Sequence, residues 1–179
     1  LNEDIKLSNQ ADEYESVTDN LQEKITSYIV RVSQRKLDID QSKSVPILIH
    51  HVNDLERIGD RAQHIVEITR RKLEDNLTFP EDSMKEIEEI TDEIMIMFDN
   101  VEEAFKNDDP VSADRVLLHG RNVKEFFRSW KNNQIKRLNI DQREMLSGFL
   151  FLEIINCLND IRGALSNIAE AVVLENRTK

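Results

Sequence analysis

Apolar side chains return every three or four residues through five long stretches of this chain, and only four glycines and three prolines interrupt its 179 residues. That period is helical, because residues three and four apart share one face of an α-helix. No segment alternates with period two, so the pattern predicts an all-α fold of long helices without a sheet. The stretches are joined by short links, which makes consecutive helices antiparallel neighbours.

The first helix is predicted from about Gln10 to Leu37, with Tyr14, Thr18, Leu21, Ile25, Tyr28 and Val32 as its inward seam. The second runs from about Gln41 to Asp75, with Val45, Leu48, Val52, Leu55, Gly59, Ala62, Val66, Thr69 and Leu73 as its seam. Pro46 in its opening turns predicts a kinked entry. Gly59 is a poor helix former, and its place on the seam points to close approach of another backbone. The third helix is predicted to start with a capping box, Ser83 and Glu86, and to pack through Ile87, Ile90, Ile94, Met97, Val101 and Ala104. Asn107-Asp108-Asp109-Pro110 ends it. The fourth runs from about Ser112 to Leu138 with Val116, Val123, Phe127 and Trp130 inward. The fifth is predicted to start at Asp141, capped with Glu144, and to bury Phe151, Ile154, Leu158, Ile161, Leu165, Ile168 and Val172.

The turn Lys36-Leu37-Asp38-Ile39-Asp40-Gln41 recurs as Arg137-Leu138-Asn139-Ile140-Asp141-Gln142, and His64-Ile65-Val66-Glu67 recurs as Asn167-Ile168-Ala169-Glu170. An internal duplication explains both matches. It divides the chain into 1–78, with two long helices, and 79–179, with three. The first unit then lacks the counterpart of the third helix. Two helices with apolar seams and no third partner expose a hydrophobic face, which predicts self-association or packing on the second unit.

A formal charge of −11 disfavours nucleic acid or an anionic membrane face as the main partner and favours cations or a basic protein surface. The single cysteine, Cys157, forbids an internal disulfide, fits a reducing compartment and sits in an apolar stretch as a small core residue. No run reaches 18 uncharged apolar residues, and the one from Met145 to Leu152 ends at Glu153, so no membrane span is predicted. The sequence opens at Leu1 with neither an initiator methionine nor a signal-peptide pattern, as expected of a fragment.

Four acids stand out. Glu15 and Asp19 are four apart on the first helix, Glu56 and Asp60 four apart on the second, and each pair lies one residue past its seam. Antiparallel packing there converges four carboxylates, which need protons or cations to coexist. Oxygen donors suit Mg, Ca, Mn or Fe, with Zn also possible. His64 extends the second stripe by a turn and offers a nitrogen ligand. Spacing alone does not select these acids, since Asp19/Glu23, Glu89/Glu93 and Asp99/Glu103 are also four apart.

The stretch from His51 to Ile65, with the core Glu56-Arg57-Ile58-Gly59-Asp60, resembles the signature helix of the PhoU family. The turn from Leu37 to Ser42 and the lead-in Leu48-Ile49-His50-His51-Val52-Asn53-Asp54 are similar to the PhoU-like tails of sodium/phosphate cotransporters. The resemblance implies two three-helix bundles, with the first helix of the first bundle lacking here. It also implies a non-enzymatic regulatory role at the cytoplasmic side of phosphate uptake, beside a transporter segment N-terminal to this chain or a phosphate transporter complex. Carried over, the family's metal motifs fall on Glu15, Asp19, Glu56 and Asp60. The second half departs from them: Asn159 and Gly163 replace the second-helix acids, and Gly120 and Lys124 stand where acids are expected, leaving Asp160 and Glu153 off the motif. A di-iron oxidase pattern of Glu followed by His three residues later is absent, because Ile47, Leu48, Arg61 and Val116 precede the four histidines at that spacing. A helical scaffold with solvated acids, or a free-standing PhoU-type regulator, are the competing readings.

Overall fold

The computed structural model describes residues 2–137 and 142–178, with side chains described over 9–130 and 145–174. Among the described residues five helices follow one another: α1 Asn2–Ser33, α2 Ile39–Glu74, α3 Glu81–Asn107, α4 Pro110–Arg137 and α5 Gln142–Thr178. No strand occurs among the described residues.

The helix ends follow from local chemistry. Asp38 caps α2 by accepting from the Gln41 backbone N–H at 2.8 Å, while the Gln41 side chain accepts from the Asp38 N–H at 3.1 Å. At α3 the expected capping box is absent. The helix starts three residues earlier, with Pro80 rather than Ser83 as N-cap, and Ser83 is buried inside its first turns. An N-cap faces the loop, whereas the apolar face of α3 carries Ser83 into the core. Asp108, in the left-handed conformation, closes α3. Asp109 then accepts from the N–H groups of Val111 and Ser112 and from the Ser112 hydroxyl, holding its carboxyl below the usual range and fixing the start of α4 at Pro110. Pro46 lies within a continuous α2. The expected Asp141 cap, and Leu138 at the end of α4, lie outside the described residues.

α3, α4 and α5 pack pairwise into a three-helix bundle, α2 packs on α5, and among the described residues α1 packs on α2 alone. The bundle core matches the sequence seams: Ile90, Ile94, Met97 and Val101 from α3, Val116, Val123 and Trp130 from α4, and the whole Phe151-to-Val172 stripe of α5. Cys157 is buried in that core, and burial pushes its thiol pKa up. α2 contributes Ile68, with Ile58 and Ile65 at the edge. Polar bridges set its register on α5: Asn167 Nδ2 donates to both oxygens of the buried Asp54 at 3.2 Å, and Arg61 pairs with Asp160 at 3.1 Å. Among the described residues no helix is long and apolar enough to cross a membrane.

The first two seams need correcting. On α1 the α2-facing line is Ala11, Glu15, Thr18, Gln22, Thr26 and Ile29, whereas Tyr14, Leu21, Ile25 and Tyr28 are exposed. On α2, Leu48, Leu55, Ala62, Thr69 and Leu73 are exposed, and the residues turned to the core are His51, Asp54, Ile58, Ile65 and Ile68. The physical reason is that α1 has one neighbour and α2 two, so each leaves an apolar strip uncovered. The arrangement is compatible with a duplicated unit. Aligned through the recurrent turn, Glu15, Thr18, Gln22 and Ile29 of α1 take the places of Val116, His119, Val123 and Trp130 of α4, which also face inward.

Candidate metal centre

α1 and α2 approach closely where Gly59 meets Thr18. A Cβ built on Gly59 stands 2.7 Å from Thr18 Oγ1 and 3.4 Å from Thr18 Cβ, so glycine leaves just enough room. The neighbour that fills this space is a threonine side chain rather than the backbone the sequence suggested. Thr18 is itself fixed, since its hydroxyl donates to the Glu15 carbonyl at 2.7 Å. Gln22 to Asn53 at 3.1 Å and Gln63 to Asp12 at 3.3 Å hold the two helices antiparallel on either side of this point.

That contact draws the acids together. Glu15, Asp19 and Asp60 each offer an oxygen within 4.8 Å of the others. Glu15 and Asp60 are partly buried and Asp19 is exposed. Glu56 lies one turn before Asp60 on α2 and stands outside the close group of three. Partial burial, then the charges of Asp19, Asp60, Asp12 and Glu67, push the Glu15 carboxyl above the usual carboxylate range. Burial, then the charges of Asp60 and Asp19, raise Glu56 likewise, against the opposing charge of Arg57. Both shifts have one meaning: crowded carboxylates hold protons more tightly, and a bound cation would take the protons' place.

The donor set fits a hard cation. Three carboxylates at mutual distances under 5 Å can share one ion at the 2.0–2.6 Å range typical of oxygen ligands, with open positions left for water. His64 stands outside this close group: its Nδ1 meets Glu67 Oε2 at 3.0 Å. Asp12 and Glu67 add negative charge that the sequence reading did not single out. The signal was there, since Asp12 is three residues before Glu15 and Glu67 seven after Asp60, on the same faces.

The second half uses the corresponding positions otherwise. Asn159 accepts from Arg162 Nε at 3.0 Å, Gly163 faces open space, and Gly120 lies against Ser166 and Met97. Asp160 and Glu153 face Arg61 and Arg71 of α2 at 3.1 and 3.7 Å, so they bridge the two halves.

Residues 1–69 match the family model of the PhoU domain. This segment comprises α1 and most of α2, and it contains all five candidate ligands. The whole chain has the PhoU fold. It superposes on the crystal structure of PhoU from Pseudomonas aeruginosa with a TM-score of 0.89 at 20% identity, covering 97% of this chain and 83% of that one. The phosphate transport system regulatory protein PhoU from Streptococcus pneumoniae gives 0.80 at 18% identity, with coverages of 97% and 81%. No curated protein matches the chain. The PhoU-matched segment and the acid-bearing contact are thus the same part of the molecule.

Proposed function

We propose that this chain is a non-enzymatic PhoU-type regulatory domain of phosphate uptake, binding a divalent or trivalent metal ion between α1 and α2. The observation that carries the reading is the coincidence of the PhoU family match over residues 1–69 with the group formed by Glu15, Asp19 and Asp60. Glu56 completes the set by sharing the charge of Asp60, and His64 supplies an outer nitrogen once its side chain turns from Glu67. The ion joins α1, which among the described residues packs on no other helix, to α2, so metal occupancy governs the order of this hairpin. A transporter component senses that order at the cytoplasmic face of the membrane.

Two settings fit. The resemblance of the α2 lead-in favours the tail of a sodium/phosphate cotransporter, with the membrane segment N-terminal to the chain. The near-complete superposition on two PhoU proteins favours a free-standing regulator. The test is phosphate uptake in cells carrying Glu56→Ala/Asp60→Ala in the full-length protein. Altered control of uptake at unchanged protein level is expected, and wild-type control would overturn the regulatory role of this site.

A further inference from the structure

Where the turn joins α1 to α2, Tyr28, Ile29, Val32, Leu37, Val45 and Leu48 line an open cavity of about 530 Å³. Ile29 is buried there, while Tyr28 and Leu48 remain 61% and 42% exposed. The volume lies within the range of about 300–1,000 Å³ in which proteins hold small ligands. Two carboxylates, Asp38 and Asp40, also line the cavity, and no lysine or arginine among the described residues does. Asp38 caps α2, and Asp40 meets the exposed Lys43 at 3.3 Å.

The second half of the molecule shows what covers such a place. His64-Ile65-Val66-Glu67 and Asn167-Ile168-Ala169-Glu170 stand 103 residues apart, and so do the helix starts Ile39 and Gln142. Both helices are continuous, so Ser44 and Leu48 of α2 correspond to Ser147 and Phe151 of α5. Those two are buried under the link that leads into α3. The Ser147 hydroxyl donates to the Thr78 carbonyl at 2.8 Å, and Phe79 meets Phe151 edge-on with 6.3 Å between ring centroids. Leu77 beside them is buried, and the Lys72 ammonium stands 4.9 Å from the centre of the Phe79 ring. The cover is thus a short non-helical run, Leu77-Thr78-Phe79, fixed by one aromatic ring, one carbonyl and one cation. In the first half the cavity stands open at this position, and the Ser44 hydroxyl turns back to the Asp40 carbonyl at 3.1 Å.

We propose that the cavity at the α1–α2 turn is a peptide-docking site. It takes a non-helical, basic segment of a partner protein, with one aromatic side chain against Leu48 and one backbone carbonyl on Ser44. The ring takes the part that Phe79 plays on Phe151, and the carbonyl takes the part of Thr78 once the Ser44 hydroxyl leaves Asp40. A lysine or arginine beside the ring answers Asp38 and Asp40. Leu48 precedes Asp60 by about 18 Å along α2 at the helical rise of 1.5 Å per residue, so metal content and peptide binding can fail separately.

Titration of the isotope-labelled 179-residue chain with an end-capped Lys-Leu-Thr-Phe-Pro-Lys peptide, read by amide chemical shifts, tests it. Saturable shifts are expected at Val32, Ser44, Val45 and Leu48. Leu48→Lys, which sets a like charge against the peptide, is expected to weaken binding at least tenfold, and Ser44→Ala severalfold. Because Leu48 is partly exposed, the helical signal should persist in the first variant. A peptide with serine in place of its phenylalanine, or with glutamates in place of its lysines, should bind at least tenfold more weakly. Absence of saturable shifts at the cavity overturns the proposal, as does an affinity indifferent to Leu48→Lys, to the ring or to the peptide's charge. Shifts at the cavity that follow protein concentration without peptide would give it to a second copy and equally overturn the proposal.

Discussion

Substituting Gly59 by alanine pits two effects of known size against each other. Alanine in a helix interior is favoured over glycine by about 0.5–1 kcal/mol. At Gly59 the new methyl would stand 2.7 Å from Thr18 Oγ1 and 3.4 Å from Thr18 Cβ. Rotating Thr18 breaks its bond to the Glu15 carbonyl and still leaves the two Cβ atoms tightly spaced, so α1 must move outward. Overpacking of this kind costs about 1–3 kcal/mol, leaving a net loss of roughly 0–2.5 kcal/mol. Gly163, by contrast, has nothing within 4 Å of its added Cβ, so Gly163→Ala gains the full helical preference. At about 2–4 °C per kcal/mol for a chain of this size, the two variants should separate by several degrees in thermal melting. Hydrogen exchange should place the Gly59→Ala loss in α1, and adding Thr18→Ala should restore much of it. Equal stabilisation by the two alanines would refute the close contact between α1 and α2.

Two further outcomes follow from packing and charge. Glu56 has a folded-state pKa raised above its unfolded value, so its contribution to stability is fully present below the unfolded pKa and is lost as pH rises through the folded one. Metal-free protein should therefore gain stability as pH falls from neutral toward the carboxylate range, and Glu56→Gln should raise neutral-pH stability and flatten that slope in melting curves. In the bundle core Phe151 is 1% exposed and meets Phe79 edge-on, so Phe151→Ala should lower stability by about 3–5 kcal/mol in denaturant titration.

The sequence was most legible where helices are fully surrounded. The stripe of α5 from Phe151 to Val172 and the inner face of α3 bury the predicted residues wholly or in large part, because the three neighbours of α5 and the two of α3 close over those faces. It was misread where coverage is partial. Tyr14, Leu21 and Tyr28 form a regular seam, but the apolar period says only that a face avoids water, and α2 meets the adjacent polar line instead. Ser83 fits a capping box by residue type, yet the apolar face of α3 extends through it. The candidate ligands were half legible. Glu15, Asp19 and Asp60 converge as the paired spacings implied, since antiparallel helices meeting at Gly59 bring those faces together. Asp12 and Glu67 were missed because their contribution is long-range charge, which pair spacing does not flag. His64 pairs with Glu67, a local contact three residues along the helix that stripe counting does not resolve.

Elemental analysis of the purified protein beside a Glu56→Ala/Asp60→Ala variant tests the central claim most directly. The account predicts stoichiometric metal in the parent, retained through desalting and raising its melting temperature, with none in the variant. Metal absent from the parent even after reconstitution with Mg, Ca, Mn, Fe and Zn, or equal metal in both proteins, would contradict a metal centre between α1 and α2.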